Sequence, residues 1–326
     1  AIYLSTFSYY LVSDIDEKER CHQKILAYWQ KAKELSEETA LLELLTISEG
    51  LDWGVDEIPV HYEKALGCAK KTKDKHLIGT ALEWLAYASF WKAYATEDPD
   101  KRVEIHQRGL EYAEDAKHQF SSTSFVSPIG VIELWSGVGN YLQLALWETD
   151  LRKRRDLLEK AVMDGSHAIE LAQSTGYPNF IGIAHHELSK ALVSLAQIEA
   201  NSEQKRKLLD RALEHRNESI RIIEQLTPFD YWNMGVEWIR SADLKVELSS
   251  VEKDFENVKR MLAEAVSDKG LGLQLCIKRI LYEEKKGELS LFAGLGDFQH
   301  SYGELLNRLY GLTNNREHQR RAIKAF

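Results

Sequence analysis

The feature that most constrains this sequence is a set of glycines that recur at an almost constant interval. They are separated by 51, 52 and 53 residues, and they are Gly79, Gly130, Gly182 and Gly235. Each opens a similar segment: GTALEWLAYASFW, GVIELWSGVGNYL, GIAHHELSKALVS and GVEWIRSADLKVE. A polar, basic-rich joint and a second helix-like stretch follow each segment. Self-similarity at this period predicts a repeat architecture, in which neighbouring units bury a continuous core.

The third unit shows why each repeat is predicted to be a pair of helices. In FIGIAHHELSKALVSLAQIE, residues 180–199, apolar residues recur every three or four positions, which is typical of one helix face. Asn201 or Ser202 then offers an N-cap, and KRKLLDRALEHRNESIRIIEQL continues as a second amphipathic helix. Three prolines precede first helices, where a missing N–H costs little: Pro128, Pro178 and Pro228. No Asn-Gly or Asp-Gly hairpin signal lies between alternating apolar runs, so we expect an all-α fold.

Charge and cysteine content limit the partners and the compartment. The formal net charge is -9, which disfavours a broad nucleic-acid surface, since such surfaces need clustered Lys and Arg. No apolar run reaches the roughly 18–20 residues of a membrane span, and the N-terminus lacks a basic leader. Three widely spaced cysteines without a CxxC predict reduced thiols in a cytoplasmic protein. We therefore expect no membrane or nucleic-acid partner.

Motifs for catalysis, cofactors and metals are not found in the sequence. There is no Walker loop, GxSxG, GxGxxG, HExxH or Cys–His signature. His185 and His186 are the most suggestive pair, but adjacent residues point about 100° apart on a helix and cannot easily clasp one metal. We predict no catalytic residue, no cofactor and no metal site, and hence a protein that is not an enzyme.

Basic pairs recur at the joints between helices: Lys101-Arg102, Arg154-Arg155, Lys205-Arg206, Lys259-Arg260 and Arg320-Arg321. Two interpretations stay open. The row is either a solvated rim of local salt bridges, each worth little, or an edge that meets an acidic partner. Basic residues at helix N-termini oppose the helix dipole, so helix stability does not explain them.

The repeat predicts a single domain over residues 1–326. Its units are expected at about 1–38, 39–76, 77–126, 127–178, 179–230, 231–286 and 287–326. Both ends read as interrupted helices rather than as the polar capping repeats that a solenoid needs. The sequence is therefore expected to be a segment of a longer protein, and self-association through uncapped ends is possible.

Small residues recur where two helices must approach closely. Seven positions after the glycines stand Ala86, Gly137, Ser189 and Ala242, and the second helices carry Ala161, Ala212 and Ala265. This pattern resembles the tetratricopeptide-repeat superfamily over nearly the whole chain. The usual period there is 34 residues, whereas here it is about 52, so each helix is expected to be about two turns longer. The resemblance implies a right-handed superhelical solenoid of stacked antiparallel helix pairs.

In that superfamily the first helices line a concave groove that holds a protein, a peptide or occasionally a small ligand. The resemblance places these residues in the groove: Glu83, Tyr87, Trp91, His186, Lys190, Ser194, Ile239, Asp243 and Glu247. It implies a non-catalytic protein- or peptide-binding scaffold, serving as a sensor or interaction arm of a larger signalling or regulatory protein. Two alternatives stay open: an α/α-toroid enzyme acting on glycans or terpenoids, and a solenoid that senses a small molecule.

Overall fold

A computed structural model describes residues 58–121, 133–175, 178–226, 231–286 and 295–313, together with 315, 317, 318, 320 and 321. Within these residues the regular structure is helical, without a strand. The helices are α1 (Ile58–Thr72), α2 (Lys75–Ala95), α3 (Pro99–Ser121), a π-helical segment (Glu133–Val138), α4 (Gly139–Trp147), α5 (Leu151–Thr175), α6 (Pro178–Ile198), α7 (Ser202–Leu226), α8 (Tyr231–Val251), α9 (Phe255–Lys286) and α10 (Leu295–Thr313). Gly130, Pro128, Pro228 and the predicted unit 1–38 lie outside the described residues.

The backbone divides into two compact units, with the boundary between Ser194 and Leu195. In the first unit α1 packs on α2, α2 on α3, α3 on α4, and α4 on α5. In the second unit α7 packs on α8, α8 on α9, and α9 on α10. Consecutive helices pack directly in both units, which confirms the all-α class built from helix pairs. The seven repeat boundaries and the hand of the superhelix stay predictions.

The recurring glycines make the same contact in both units. A Cβ atom on Gly79 would lie 2.9 Å from the Phe120 ring, and one on Gly235 would lie 2.6 Å from Cys276 Sγ. The two glycines are 156 residues apart, and so are Phe120 and Cys276. The contact therefore repeats in register, between the start of a first helix and the C-terminal half of the second helix that follows it.

Small side chains fill the helix crossings that the sequence pattern predicts. In the first helices Ala86, Ser189 and Ala242 are 0% exposed, and so are Ala161, Ala212 and Ala265 in the second helices. Without bulky side chains at these positions the helix backbones can approach closely. The prediction of close packing is confirmed wherever these positions are described.

The second helices share one N-terminal cap. The cap residues, spaced by 52, 51 and 53 residues, are Asp98, Asp150, Asn201 and Asp254. In each case the side-chain Oδ1 accepts hydrogen bonds from backbone N–H groups two or three residues ahead, at 2.8–3.2 Å. The structure thus confirms Asn201, rather than Ser202, as the cap of α7.

A glutamate also precedes three of these caps by two residues. Glu148, Glu199 and Glu252 each accept a hydrogen bond from the cap residue's backbone N–H at 2.9 Å. Hydrogen bonds therefore fix the joint on both sides of the cap residue. The glutamate accepts one from the cap residue, and the cap residue accepts others from the first turn of the next helix.

Local contacts engage several of the basic residues at these joints. Arg206 Nη2 lies 2.9 Å from Glu252 Oε2, Lys205 Nζ lies 3.6 Å from Glu247 Oε1, and Lys259 Nζ lies 3.0 Å from Glu256 Oε1. Arg102 instead donates to the backbone oxygen of Thr96. These contacts support the interpretation of the basic row as a rim of local salt bridges.

Candidate functional site

An aromatic strip runs along α2 and consists of Trp84, Tyr87, Trp91 and Tyr94. Neighbouring rings along the strip meet edge to face, with centroids 5.9, 6.1 and 6.3 Å apart. Their spacing of three or four residues places them on one side of the helix. The strip is thus a property of the local sequence, set by helical periodicity alone.

The same helix buries its opposite side in the core of the first unit. Leu82, Leu85 and Ala86 are buried there, and Trp84 packs against this core from its edge. Exposure rises towards the C-terminal end of the strip, where Trp91 is 44% and Tyr94 is 69% exposed. Because the core anchors the helix, the exposed rings are held on a rigid support.

Glu83 lies beside this strip, one turn before Tyr87, and is partly buried. Within the described part of the chain, no hydrogen bond or ion pair engages its carboxyl group. Burial raises the pKa of Glu83 from 4.5 to about 8. A carboxyl group without a partner in a poorly solvated position favours either a proton or a cation.

On α6, the predicted groove residues His186 and Lys190 both contact the carboxyl group of Glu187. Glu187 is buried, and its Oε2 lies 2.8 Å from Lys190 Nζ while its Oε1 lies 3.4 Å from His186 Nε2. Glu187 was not among the predicted groove residues. Its spacing of three residues from Lys190 was the available signal for this pair.

In the second unit Asp243 lies at the wall of a cavity of about 300 Å³. The lining comes from α8, α9 and α10 and comprises Asp243, Val246, Lys269, Ser301, Glu304, Leu305 and Arg308. Lys269 is only 4% exposed, and its Nζ donates to Asp243 Oδ1 at 2.6 Å. The sequence analysis missed Lys269, because its pairing with Asp243 depends on how α9 packs on α8.

Two other predicted groove residues of α8 are engaged within the second unit. Glu247 forms the ion pair with Lys205 described above. Ile239 is 1% exposed and packs with Leu273 and Cys276. Its expected place in an open groove is therefore wrong, since this side of α8 lies against α9.

A second titratable cluster surrounds the π-helical segment. Asp164 lies 3.9 Å from Lys117 Nζ, and Glu133 lies 2.8 Å from His167 Nδ1. Burial, opposed in part by Lys117, raises the pKa of Asp164 to about 6. Each carboxyl group thus faces a basic partner on a neighbouring helix, an arrangement typical of polar bridges between packed helices.

No group of three or more His, Cys, Asp or Glu side chains in the described regions is placed to hold a metal ion. Among the same residues, no helix is long and apolar enough to cross a membrane. Cys276 is buried, which raises the pKa of its thiol to about 11.

No protein-family model matches the chain, and no curated protein matches it. Among solved structures it is similar to a circular tandem repeat protein with novel repeat topology and enhanced subunit contact surfaces, with 16% identity, a TM-score of 0.37, and coverage of 99% of this chain and 81% of that one. It is also similar to the S. pombe nuclear import adaptor Nro1, with 13% identity, a TM-score of 0.41, and coverage of 93% and 100%. The human IFIT1 dimer with m7Gppp-AAAA shows 12% identity, a TM-score of 0.28, and coverage of 93% and 78%.

The recurring contacts within this chain make it a helical tandem-repeat protein.

Proposed function

We propose that this protein is a non-catalytic scaffold that binds a protein or a peptide on the exposed side of its first helices. The observation that carries the proposal is the aromatic strip of α2, whose Trp91 and Tyr94 remain substantially exposed. Trp and Tyr are the residues most enriched at the energetic centres of protein interfaces. A strip of them on a core-anchored helix favours an interaction surface.

The support under the strip lowers the entropic cost of binding. Helix α2 is held by α1 and α3, so its rings do not have to be ordered when a ligand arrives. Edge-to-face contacts further restrict the rings relative to one another. In the cell, we propose that the scaffold acts in the cytoplasm as a sensor or interaction arm of a larger signalling or regulatory protein.

The test is a selection of random displayed peptides on the full chain, repeated on Trp91→Ala. The matched control is Trp147→Ala, because Trp147 is also 44% exposed but lies outside the strip, on α4. We expect peptides that bind the wild-type chain and the Trp147 variant and lose at least ten-fold in affinity on the Trp91 variant. Equal binding to all three proteins would place the interaction elsewhere.

One observation favours a second candidate, the small-molecule sensor. The cavity beside Asp243 and Lys269 has the size of a small-ligand site and presents both charge signs. A thermal-shift screen against metabolites, repeated on Leu305→Trp to fill the cavity, tests it. A compound that stabilises the wild-type chain but not the filled variant would support this candidate.

A further inference from the structure

The cavity of about 300 Å³ in the second unit, called the Lys269 cavity below, has an apolar floor made by Val246 of α8 and Leu305 of α10. Leu305 belongs to the hydrophobic cluster that joins α8, α9 and α10, and Val246 packs against that cluster. Because the core of the unit holds this floor in place, the cavity is already formed when a ligand arrives. Its volume lies at the lower end of the roughly 300–1,000 Å³ of small-ligand pockets, so it suits a small molecule.

The most deeply placed charge of the cavity is the ammonium group of Lys269. Its side chain is 5% exposed, whereas that of Asp243 is 56% and that of Glu304 is 65% exposed. The Lys269 Nζ donates to Asp243 Oδ1, and this is its one hydrogen bond to the described residues. An ammonium group has three N–H donors, and buried donors are normally satisfied. Lys269 can therefore still donate to an acceptor inside the cavity.

The preceding residue of α9 is arranged differently. Asp268 Oδ2 lies 2.9 Å from Lys245 Nζ and 3.2 Å from Ser241 Oγ, both on α8. These three side chains form a polar bridge between two packed helices. Adjacent residues point about 100° apart on a helix, so Lys269 lies on a different side of α9, where the cavity is.

Arg308 of α10 brings a second cation to the cavity. It is exposed, and no ion pair or hydrogen bond with another described residue engages its guanidinium group. Glu304, four residues earlier, lies 3.5 Å from His300 Nε2 instead. A guanidinium group can donate two parallel hydrogen bonds to one carboxylate. Lys269 and Arg308 therefore offer a carboxylate donors from two helices.

We propose that the Lys269 cavity binds a small zwitterion of the α-amino acid class. The carboxylate of the ligand lies between Lys269 and Arg308. Its ammonium group lies beside Asp243 and Glu304, and its hydrocarbon side chain packs on the apolar floor. A ligand with one charge of each sign adds no net charge, whereas a dicarboxylate would bring an extra negative charge to the two exposed acidic groups. This inference rests on the second candidate function and names the chemistry of its ligand.

The experiment measures the binding of aliphatic amino acids to the full chain by isothermal titration calorimetry. The probes are L-leucine, L-isoleucine, L-valine and L-methionine, because the floor of the cavity is aliphatic. Each is compared with its amide, which lacks the carboxylate, and with its N-acetyl derivative, which lacks the ammonium group. We expect at least one of the four to bind, and both of its derivatives to bind at least ten-fold more weakly.

Two substitutions assign the ends of the ligand to their partners. Arg308→Gln should reduce the preference for the free amino acid over its amide at least five-fold and leave the preference over the N-acetyl derivative unchanged. Glu304→Gln should do the reverse. The matched control is Arg260→Gln, an exposed position of α9 outside the cavity, which should change neither preference. Circular dichroism melts check that each variant is folded.

The outcomes separate this inference from the function beneath it. It is overturned if none of the four amino acids binds, if a derivative binds as tightly as the free amino acid, or if Leu305→Trp binds as tightly as the wild type. The small-molecule sensor still stands if the metabolite screen finds another compound that Leu305→Trp excludes. If neither experiment finds a ligand that Leu305→Trp excludes, both proposals fail.

Discussion

The Sγ atom of Cys276 lies 2.6 Å from the position that a Cβ atom on Gly235 would occupy. The backbone oxygen of Gly272 lies equally close to that position. A side chain can rotate away from such a contact, but a helix backbone cannot. The approach of α8 and α9 therefore depends on the missing side chain of residue 235.

We predict that Gly235→Ala destabilises the protein by about 1–3 kcal/mol, the usual cost of overpacking. Gly311→Ala in the same unit should do the opposite, because no atom of the described residues lies within 4 Å of its Cβ position and alanine favours a helix by about 0.5–1 kcal/mol. Gly79 and Gly67 form the corresponding pair in the first unit. Urea denaturation followed by tryptophan fluorescence measures both pairs, and a stabilising Gly235→Ala would contradict the proposed packing.

The cap of α5 should contribute measurably to stability. Asp150 Oδ1 accepts hydrogen bonds from the backbone N–H groups of Arg152 and Lys153, and Asp150→Ala removes both. We expect a loss of about 1 kcal/mol and faster amide exchange in the first turn of α5. Asp150→Asn should retain most of the stability. Asp156→Ala, an exposed change within α5, serves as the control and should cost less than about 0.5 kcal/mol.

A buried ion pair joins α7 to α8 in the second unit. Arg216 Nη1 donates to Glu237 Oε2, and both residues are almost fully buried. Removal of one partner takes away the main counter-charge of the other, so Arg216→Met or Glu237→Leu alone should cost up to about 3–5 kcal/mol. The loss should be smaller for Arg216→Met, because Arg240 Nη1 also lies 3.6 Å from Glu237 Oε1. The double variant should recover much of that loss. A double-mutant cycle in urea measures the coupling, and strictly additive losses would show that the pair does not act as a unit.

The stability of the wild-type chain should depend on the ionisation of Glu83. Its pKa is raised from 4.5 to about 8, so the favourable protonated form contributes fully below pH 4.5, and that contribution is lost as the pH rises through 8. Glu83→Gln mimics the protonated form. We expect the variant to melt above the wild type at pH 8, with the difference fading towards pH 5. A difference in melting temperature that does not vary with pH would contradict this assignment.

Local pattern predicted much of the fold in this protein. The glycine interval, the small residues Ala86 and Ala242 and the Asn201 cap are all visible as spacings along the chain, so periodicity and capping chemistry were sufficient to predict them. Glu83, Tyr87 and Trp91 were assigned to a groove by the resemblance to tetratricopeptide repeats, and their spacing of four residues puts them on one side of α2. Which residues of other helices lie against that face depends on how the helices pack. The sequence pattern does not contain this information.

Polar pairs between helices were the main features that the sequence did not reveal. His106 stands where later units have Leu158, Leu209 and Leu262, and it is as buried as they are. Its Nδ1 lies 2.7 Å from Asn140 Oδ1 on α4, so a hydrogen bond between two polar side chains replaces an apolar contact. Such a pair can be recognised only when the packing of the two helices is known.

The shared joints have a consequence for how a chain of this kind can change in length. The caps recur every 51–53 residues, and three of the four joints also carry a glutamate two residues before the cap, so a duplication that runs from one cap to the next would add a complete pair of helices with its own cap. A stretch of any other size would set the following helix at the wrong angle and spoil its fit to its neighbour. Insertions or deletions of about 52 residues, one repeat at a time, are therefore the changes in length that this architecture accommodates best.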